Sequence, residues 1–173
     1  MQAVGVFSNR RSIELIDIPE EPVKTDRDVK VRILEVGICG TDREVASFEY
    51  GTPPQAVDFL VLGHEGLGEV VEVGAAVDEF KPGDLVVPLV RHVCPHAWCG
   101  PCRMNRSDFC VSGDFTERGI NREHGFMRPY LVEKPEYLVK VPAELRDVAV
   151  LTEPLTIAEK AISQVRDLLG RFP

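Results

Sequence analysis

Between residues 91 and 125 the chain holds four of its five cysteines and three of its four histidines but few aliphatic side chains. A segment of that composition cannot bury enough apolar surface to hold itself folded, so something other than a hydrophobic core must do it. The spacing says what. Four residues separate Cys94 from Cys99, two separate Cys99 from Cys102, and seven separate Cys102 from Cys110. The Cys-x-x-Cys pair across Gly100-Pro101 can turn both sulfurs onto one ion, and the other two thiolates close the tetrahedral Cys₄ cage of a structural zinc site. Two disulfides or unrelated buried thiols are the alternative, and the odd cysteine count and ligand-like spacing argue against it. His92 and His96 flank Cys94 and are read as bystanders, because four thiolates already complete the shell.

The fifth cysteine stands alone, in Gly37-Ile38-Cys39-Gly40-Thr41-Asp42. A lone cysteine with a histidine and a carboxylate from elsewhere suits an open zinc site that keeps a position for substrate. Gly63-His64-Glu65 and Glu153, at a predicted helix start, can complete such a set. Adjacent residues on an ideal strand face opposite ways, so His64 and Glu65 can share an ion only if the backbone turns between Gly63 and Gly66. Thr41 either carries a proton between the site and solvent or packs and caps a turn. The expectation is two zinc ions of unlike purpose.

Around these sites the chain reads as strands and turns. Val29–Val36 alternates apolar with polar residues up to Ile33-Leu34, and Gly68–Gly74 is a second β-rich run. Asp84–Val90 is a third, entered through the turn Lys81-Pro82-Gly83-Asp84, with Pro88 expected to point its missing amide away from a ladder partner. Strands are expected again over 126–132 and 137–141, closed by Pro142. Thr152-Glu153-Pro154 reads as a helix start, and Leu155, Ala158, Ile162, Val165 and Leu169 recur at helical spacing up to a possible cap at Gly170. Gly66-Leu67-Gly68-Glu69-Val70-Val71 half-matches a dinucleotide fingerprint but continues as a strand where a phosphate-binding helix should begin, so it is rejected.

At 173 residues, 44% hydrophobic and 28% charged, this is a globular chain large enough to bury a core. Its net charge of −8 and scattered basic residues exclude a nucleic-acid footprint. No apolar run reaches the length of a membrane span, and Met1–Phe7 lacks the pattern of a secretory signal. A cytoplasmic chain with reduced thiols is expected.

In order, Gly37–Asp42, Gly63–Glu65 followed by Gly68, Gly74 and Val77, Gly83-Asp84 and the four-cysteine lobe resemble the medium-chain zinc-dependent alcohol dehydrogenases over nearly the whole chain. Phe115–Ile120, His124–Arg128 and Thr152–Leu155 are similar, within that family, to glucose dehydrogenases of the archaeal type. The resemblance implies a mainly β, GroES-like barrel over 1–153, with its zinc lobe at about 91–125. A connecting helix over 154–173 would lead to a Rossmann cofactor domain absent from this chain. It implies Cys39, His64 and Glu65 as catalytic zinc ligands, and Glu153 as a direct, water-bridged or alternate ligand during turnover where ethanol-type enzymes carry a cysteine. It further implies that zinc acidifies the C1 hydroxyl of a sugar, that Thr41 relays the proton, and that Glu117 binds a sugar hydroxyl. Hydride would pass to NAD or NADP held by the missing domain, giving the lactone; alone, the chain would bind zinc and turn nothing over. The complete protein is expected to be a homo-oligomer. Sorbitol- or threonine-type dehydrogenases and a non-catalytic zinc-binding GroES-like module are the alternative readings.

Overall fold

Alternating apolar and polar side chains dominate the first part of the fold, and β-strands follow from that period. The computed structural model describes residues 1–170. In chain order, β1 (Gln2–Phe7), β2 (Ser12–Asp17) and β3 (Val29–Gly37) lead into helix α1 (Gly40–Ala46). There follow β4 (Leu60–Val61), β5 (Glu65–Val73), β6 (Leu85–Pro88), β7 (Arg91–His92) and the short helix α2 (Gly100–Arg103). The chain closes with β8 (Thr116–Arg118), β9 (Arg122–Glu123), β10 (Tyr130–Glu133), β11 (Leu138–Val141) and helix α3 (Thr152–Leu169).

Five strands in the order β10-β3-β5-β6-β11 form the main antiparallel sheet, and β2-β1-β4 a second. The main core gathers Val29, Val31, Val70, Val86, Phe126 and Leu131. A second cluster, Val6, Val45, Leu60 and Leu62, packs α1 against the smaller sheet. The mainly β expectation therefore holds.

One irregularity matters for the site. The alternation of β3 fails at Ile33-Leu34, and there the ladder skips: Ile33 pairs with Gly68, Glu35 with Leu67, and Leu34 is left over as a bulge. The bulge resets the register so that β3 ends with Gly37 opposite Glu65, and α1 begins immediately after Cys39.

Pro88 behaves as its chemistry requires. It pairs in register with Leu138, and Leu89 donates its amide to the Tyr137 carbonyl. The missing Pro88 amide thus faces the opposite side, where pairing with β5 has already ended at Val86.

One expectation needs adjustment, and one element is new. The strand expected over 126–132 begins only at Tyr130, because Gly125, Phe126 and Met127 spend their amides on the carbonyls of Val61, Gly63 and Leu62. Helix α1, unforeseen in the sequence, is fixed by Asp42, whose carboxylate takes the Cys39 amide at 2.8 Å. Gly170 caps α3 as expected, its amide donating to the Arg166 carbonyl at 2.9 Å.

The expected apolar stripe on α3 forms, but Leu155, Ile162, Val165 and Leu169 all lie exposed. Of the expected connecting segment 154–173, residues 171–173 lie outside the described residues. Among the described residues no helix is long and apolar enough to cross a membrane.

Candidate active site

Cys39, His64 and Glu65 come together. One donor atom from each lies within 4.8 Å of the others, although they arrive from three different local structures. Cys39 is the residue before α1, in extended conformation at φ −93° and ψ 166°. His64 follows Gly63, whose φ of +90° belongs to the region that favours glycine, and Glu65 is the first residue of β5. The turn that lets neighbouring residues serve one ion therefore lies at Gly63, whereas Gly66 is regular strand packed on Phe126.

Asp42 ties these pieces together, a part that sequence reasoning missed. Its Oδ2 accepts the Cys39 amide at 2.8 Å, its Oδ1 accepts the Gly63 amide at 3.2 Å, and Oδ1 stands 3.4 Å from His64 Nδ1. Asp42 and His64 are both buried. Burial by itself would lower the imidazole pKa; the Asp42 carboxylate, and then Cys39, more than reverse that and hold His64 up, to about 9. Conversely, although burial would raise it, His64 and the two amides keep the Asp42 carboxyl below its ordinary value. The signal that could have found Asp42 is its place three residues beyond Cys39, where a carboxylate caps a new helix.

This donor set suits a zinc ion. It offers sulfur, imidazole and carboxylate, the ligand types of an open zinc site. His64 Nδ1 is buried without a well-formed hydrogen bond and faces a carboxylate, the arrangement that orients a metal-ligating histidine. A metal ion on His64 needs the neutral imidazole, so metal binding and protonation compete at this ring.

Thr41 and Glu153 line the same cleft, whose volume is about 550 Å³. Thr41 Oγ1 lies 4.0 Å from Cys39 Sγ. Glu153, on the first turn of α3, is outside the group of three donors. Its pKa is raised, chiefly by burial and further by Glu65 and Asp42, while His64 pulls the other way. Glu117, on β8, also lines the cleft and is paired with Arg91 at 2.6 Å. Lys160 of α3 reaches Asp108 beside the cysteine lobe at 3.2 Å, so barrel, lobe and α3 each form part of the cleft wall.

The lobe itself is organised as its composition demands. Cys94, Cys99 and Cys102 are buried together with Cys110 packed on them, and that cluster of sulfurs is the core of the segment. All four Sγ atoms lie within 4.8 Å of one another, and none is in a disulfide. Cys99 and Cys110 Sγ are 3.9 Å apart, close to the edge of about 3.8 Å that a tetrahedron of Zn–S bonds near 2.3 Å requires. Four such thiols cannot all ionise without a cation. The Cys94 amide favours the Cys102 thiolate, but burial and the sulfurs of Cys94, Cys110 and Cys99 prevail and push Cys102 up to about 12. The Ser112 hydroxyl beside Cys110 lowers that thiol to about 6. His92 and His96 stay outside the group: His92 stacks on Tyr137, and His96 pairs with Asp114 at 2.5 Å.

The rejected glycine motif is strand in the structure, since residues 66–71 run inside β5. No helix follows it to receive a pyrophosphate.

A family model described as the alcohol dehydrogenase GroES-like domain matches residues 25–143. The chain is 46% identical over 173 residues to a glucose 1-dehydrogenase of Methanocella arvoryzae, covering 99% of this chain and 48% of that protein. It is 44% identical over 173 residues to a glucose 1-dehydrogenase of Metallosphaera sedula, covering 99% and 47%. The fold superimposes on a glucose dehydrogenase of Haloferax mediterranei solved with NADP, Zn and gluconolactone, with a TM-score of 0.87 and 33% identity, over 100% of this chain and 48% of that one. The chain spans about half the length of the relatives it matches.

Proposed function

This chain belongs to the alcohol dehydrogenase GroES-like family, and from that premise we propose that it is the zinc- and substrate-binding domain of an aldose 1-dehydrogenase that oxidises glucose at C1 to the lactone. The observation that carries the reading is the grouping of Cys39, His64 and Glu65 in a cleft that Thr41, Glu117 and Glu153 also line.

Cys39, His64 and Glu65 would hold the zinc ion, with Glu153 at hand as a direct or water-bridged ligand, and the ion would supply the Lewis acidity by which a sugar hydroxyl loses its proton near neutral pH. The chain's own residues do the rest. Asp42 fixes the His64 ring and, through the Cys39 amide, the start of α1. Thr41, beside Cys39, accepts the proton of the C1 hydroxyl through Oγ1 and passes its own outward. Glu117 accepts hydrogen bonds from sugar hydroxyls and so orients the ring. The second zinc, in the Cys94-Cys99-Cys102-Cys110 cage, is structural.

Oxidation at C1 removes a hydride as well as a proton. The described residues offer no glycine loop opening a helix for a dinucleotide, so NAD or NADP binds outside them in this reading. The complete protein is read as a cytoplasmic homo-oligomer acting on a small sugar, consistent with an acidic surface that suits neither nucleic acid nor an anionic membrane.

The test is an assay of the complete, zinc-loaded protein with glucose, galactose, xylose and sorbitol against NAD and NADP. Turnover of at least one aldose with lactone as product is expected. Turnover of sorbitol and of no aldose would sink the reading in favour of a polyol dehydrogenase.

A further inference from the structure

Arg91 and Glu117 stand directly opposite each other in the β7–β8 pair. The Arg91 Nε and Nη2 both donate to Glu117 Oε1, at 3.0 and 2.6 Å. Nη1 turns the other way and donates to the Ser107 carbonyl, at 3.2 Å, between Cys102 and Cys110 of the cysteine lobe. The guanidinium also lies over the Phe115 ring, 4.2 Å from its centroid. Every part of the group is thus engaged, and its plane is fixed by strand, lobe and ring together.

The consequence falls on the carboxylate. Among the described residues no hydrogen bond takes Glu117 Oε2, although Oε1 takes two. Both residues line the cleft, and Glu117 keeps only 15% of its side-chain surface. The neighbouring Arg118 points inward instead, donating from Nε and Nη2 to the buried Glu133, so strand alternation commits Glu117 to the cleft side. A free glutamate has three rotatable bonds to immobilise before it can meet a ligand; here the two donors of Arg91 on Oε1 already hold it.

We infer that Arg91 is a positioning residue. It holds Glu117 with Oε2 free for a sugar hydroxyl, and through Ser107 it makes that orientation depend on the folded cysteine lobe. The inference rests on the aldose reading and adds to it the residue that sets how tightly the sugar is held. It also gives the lobe a part in recognition. Lysine cannot replace the guanidinium here, since one ammonium cannot give two converging bonds to Oε1 and reach the Ser107 carbonyl while lying flat on Phe115.

The experiment is a double-mutant cycle on the complete, zinc-loaded protein. D-glucose binding is measured by calorimetry, KM and kcat by steady-state assay, and zinc by metal analysis. Arg91→Ala is expected to weaken glucose binding about tenfold or more, the loss typical of a hydrogen bond to a charged group, with both zinc ions retained. Glu117→Ala should weaken it as much or more, and the double variant should be no worse than Glu117→Ala alone. Arg91→Lys should recover only part of the affinity. Should Arg91→Ala fail to fold, Arg91→Lys with and without Glu117→Ala gives the same cycle. Unchanged binding in the Arg91 variants, or losses that simply add, would overturn the inference while leaving the aldose reading intact. Loss of a zinc ion from the Arg91 variants would overturn it too, as a structural role alone predicts that. A native protein that binds and oxidises no aldose would instead remove the reading on which the inference stands.

Discussion

Gly37 lies directly across the β3–β5 ladder from Glu65, and a side chain on Gly37 would overlap the Glu65 carboxylate. The space that a β-carbon would fill is the space the Glu65 carboxylate uses. Gly37→Ala should therefore push Glu65 out of line with Cys39 and His64. The barrel should fold, because the position is a strand end rather than a core contact. Metal analysis should find the zinc of the three-donor site lost or weakened at least tenfold, and the lobe zinc unchanged.

Asp42 reaches two amides and a ring with one carboxylate, so its removal should affect both metal affinity and stability. Asp42→Asn puts an NH₂ against one of three donors now facing an oxygen. Zinc affinity at the Cys39 site should fall 10–100-fold, and the clash with a buried amide should cost about 1–3 kcal/mol in denaturant unfolding. Competition with a chelator, alongside urea titration, measures both.

The cysteine lobe has no core apart from its sulfurs. Cys102→Ser should release one zinc and leave the backbone from about residue 94 to 113 exchanging its amide hydrogens freely, while the core strands β3, β5 and β6 stay protected. Hydrogen exchange read by mass spectrometry separates this from global unfolding, in which all segments would lose protection together.

His124 offers a pH test away from either metal. Burial, with the Arg128 charge beside it, pushes its pKa down to about 4. Its Nδ1 accepts the Val61 amide at 3.2 Å, which requires that nitrogen to be unprotonated, and its ring stacks on Phe59. The unfolded chain takes up this proton first, at its ordinary pKa near 6.5. The stability contributed by the neutral ring is thus whole above about pH 6.5 and is lost as pH falls toward 4, by at most about 1.4 kcal/mol per pH unit. Urea midpoints should fall more steeply over that window in the native chain than in His124→Gln.

The parts of this fold that are local in sequence were the parts legible there. The Cys-x-x-Cys turn at 99–102, the β-rich runs and the stripe on α3 each follow from spacing within a few residues, and each formed. Even the bulge left a trace, as the failed alternation at Ile33-Leu34. What depends on contacts far apart in the chain left no such trace. Asp42 acquires its importance only when β4 and its following turn bring Gly63 and His64 beside it, and Arg91 acquires its own only when β7 pairs with β8. Glu153 shows the same limit from the other side: its place at the start of α3 was readable, but its standing outside the three-donor group depends on how α3 meets the barrel.

The central claim is that the one lone and four clustered cysteines serve two zinc sites that are independent of each other. Zinc counted per chain, in the native protein and in Cys39→Ser, tests it most directly. Two ions are expected in the native chain and one in the variant, the remaining ion held by the four thiolates of Cys94, Cys99, Cys102 and Cys110. A single ion in the native chain, or the loss of both from Cys39→Ser, would contradict it.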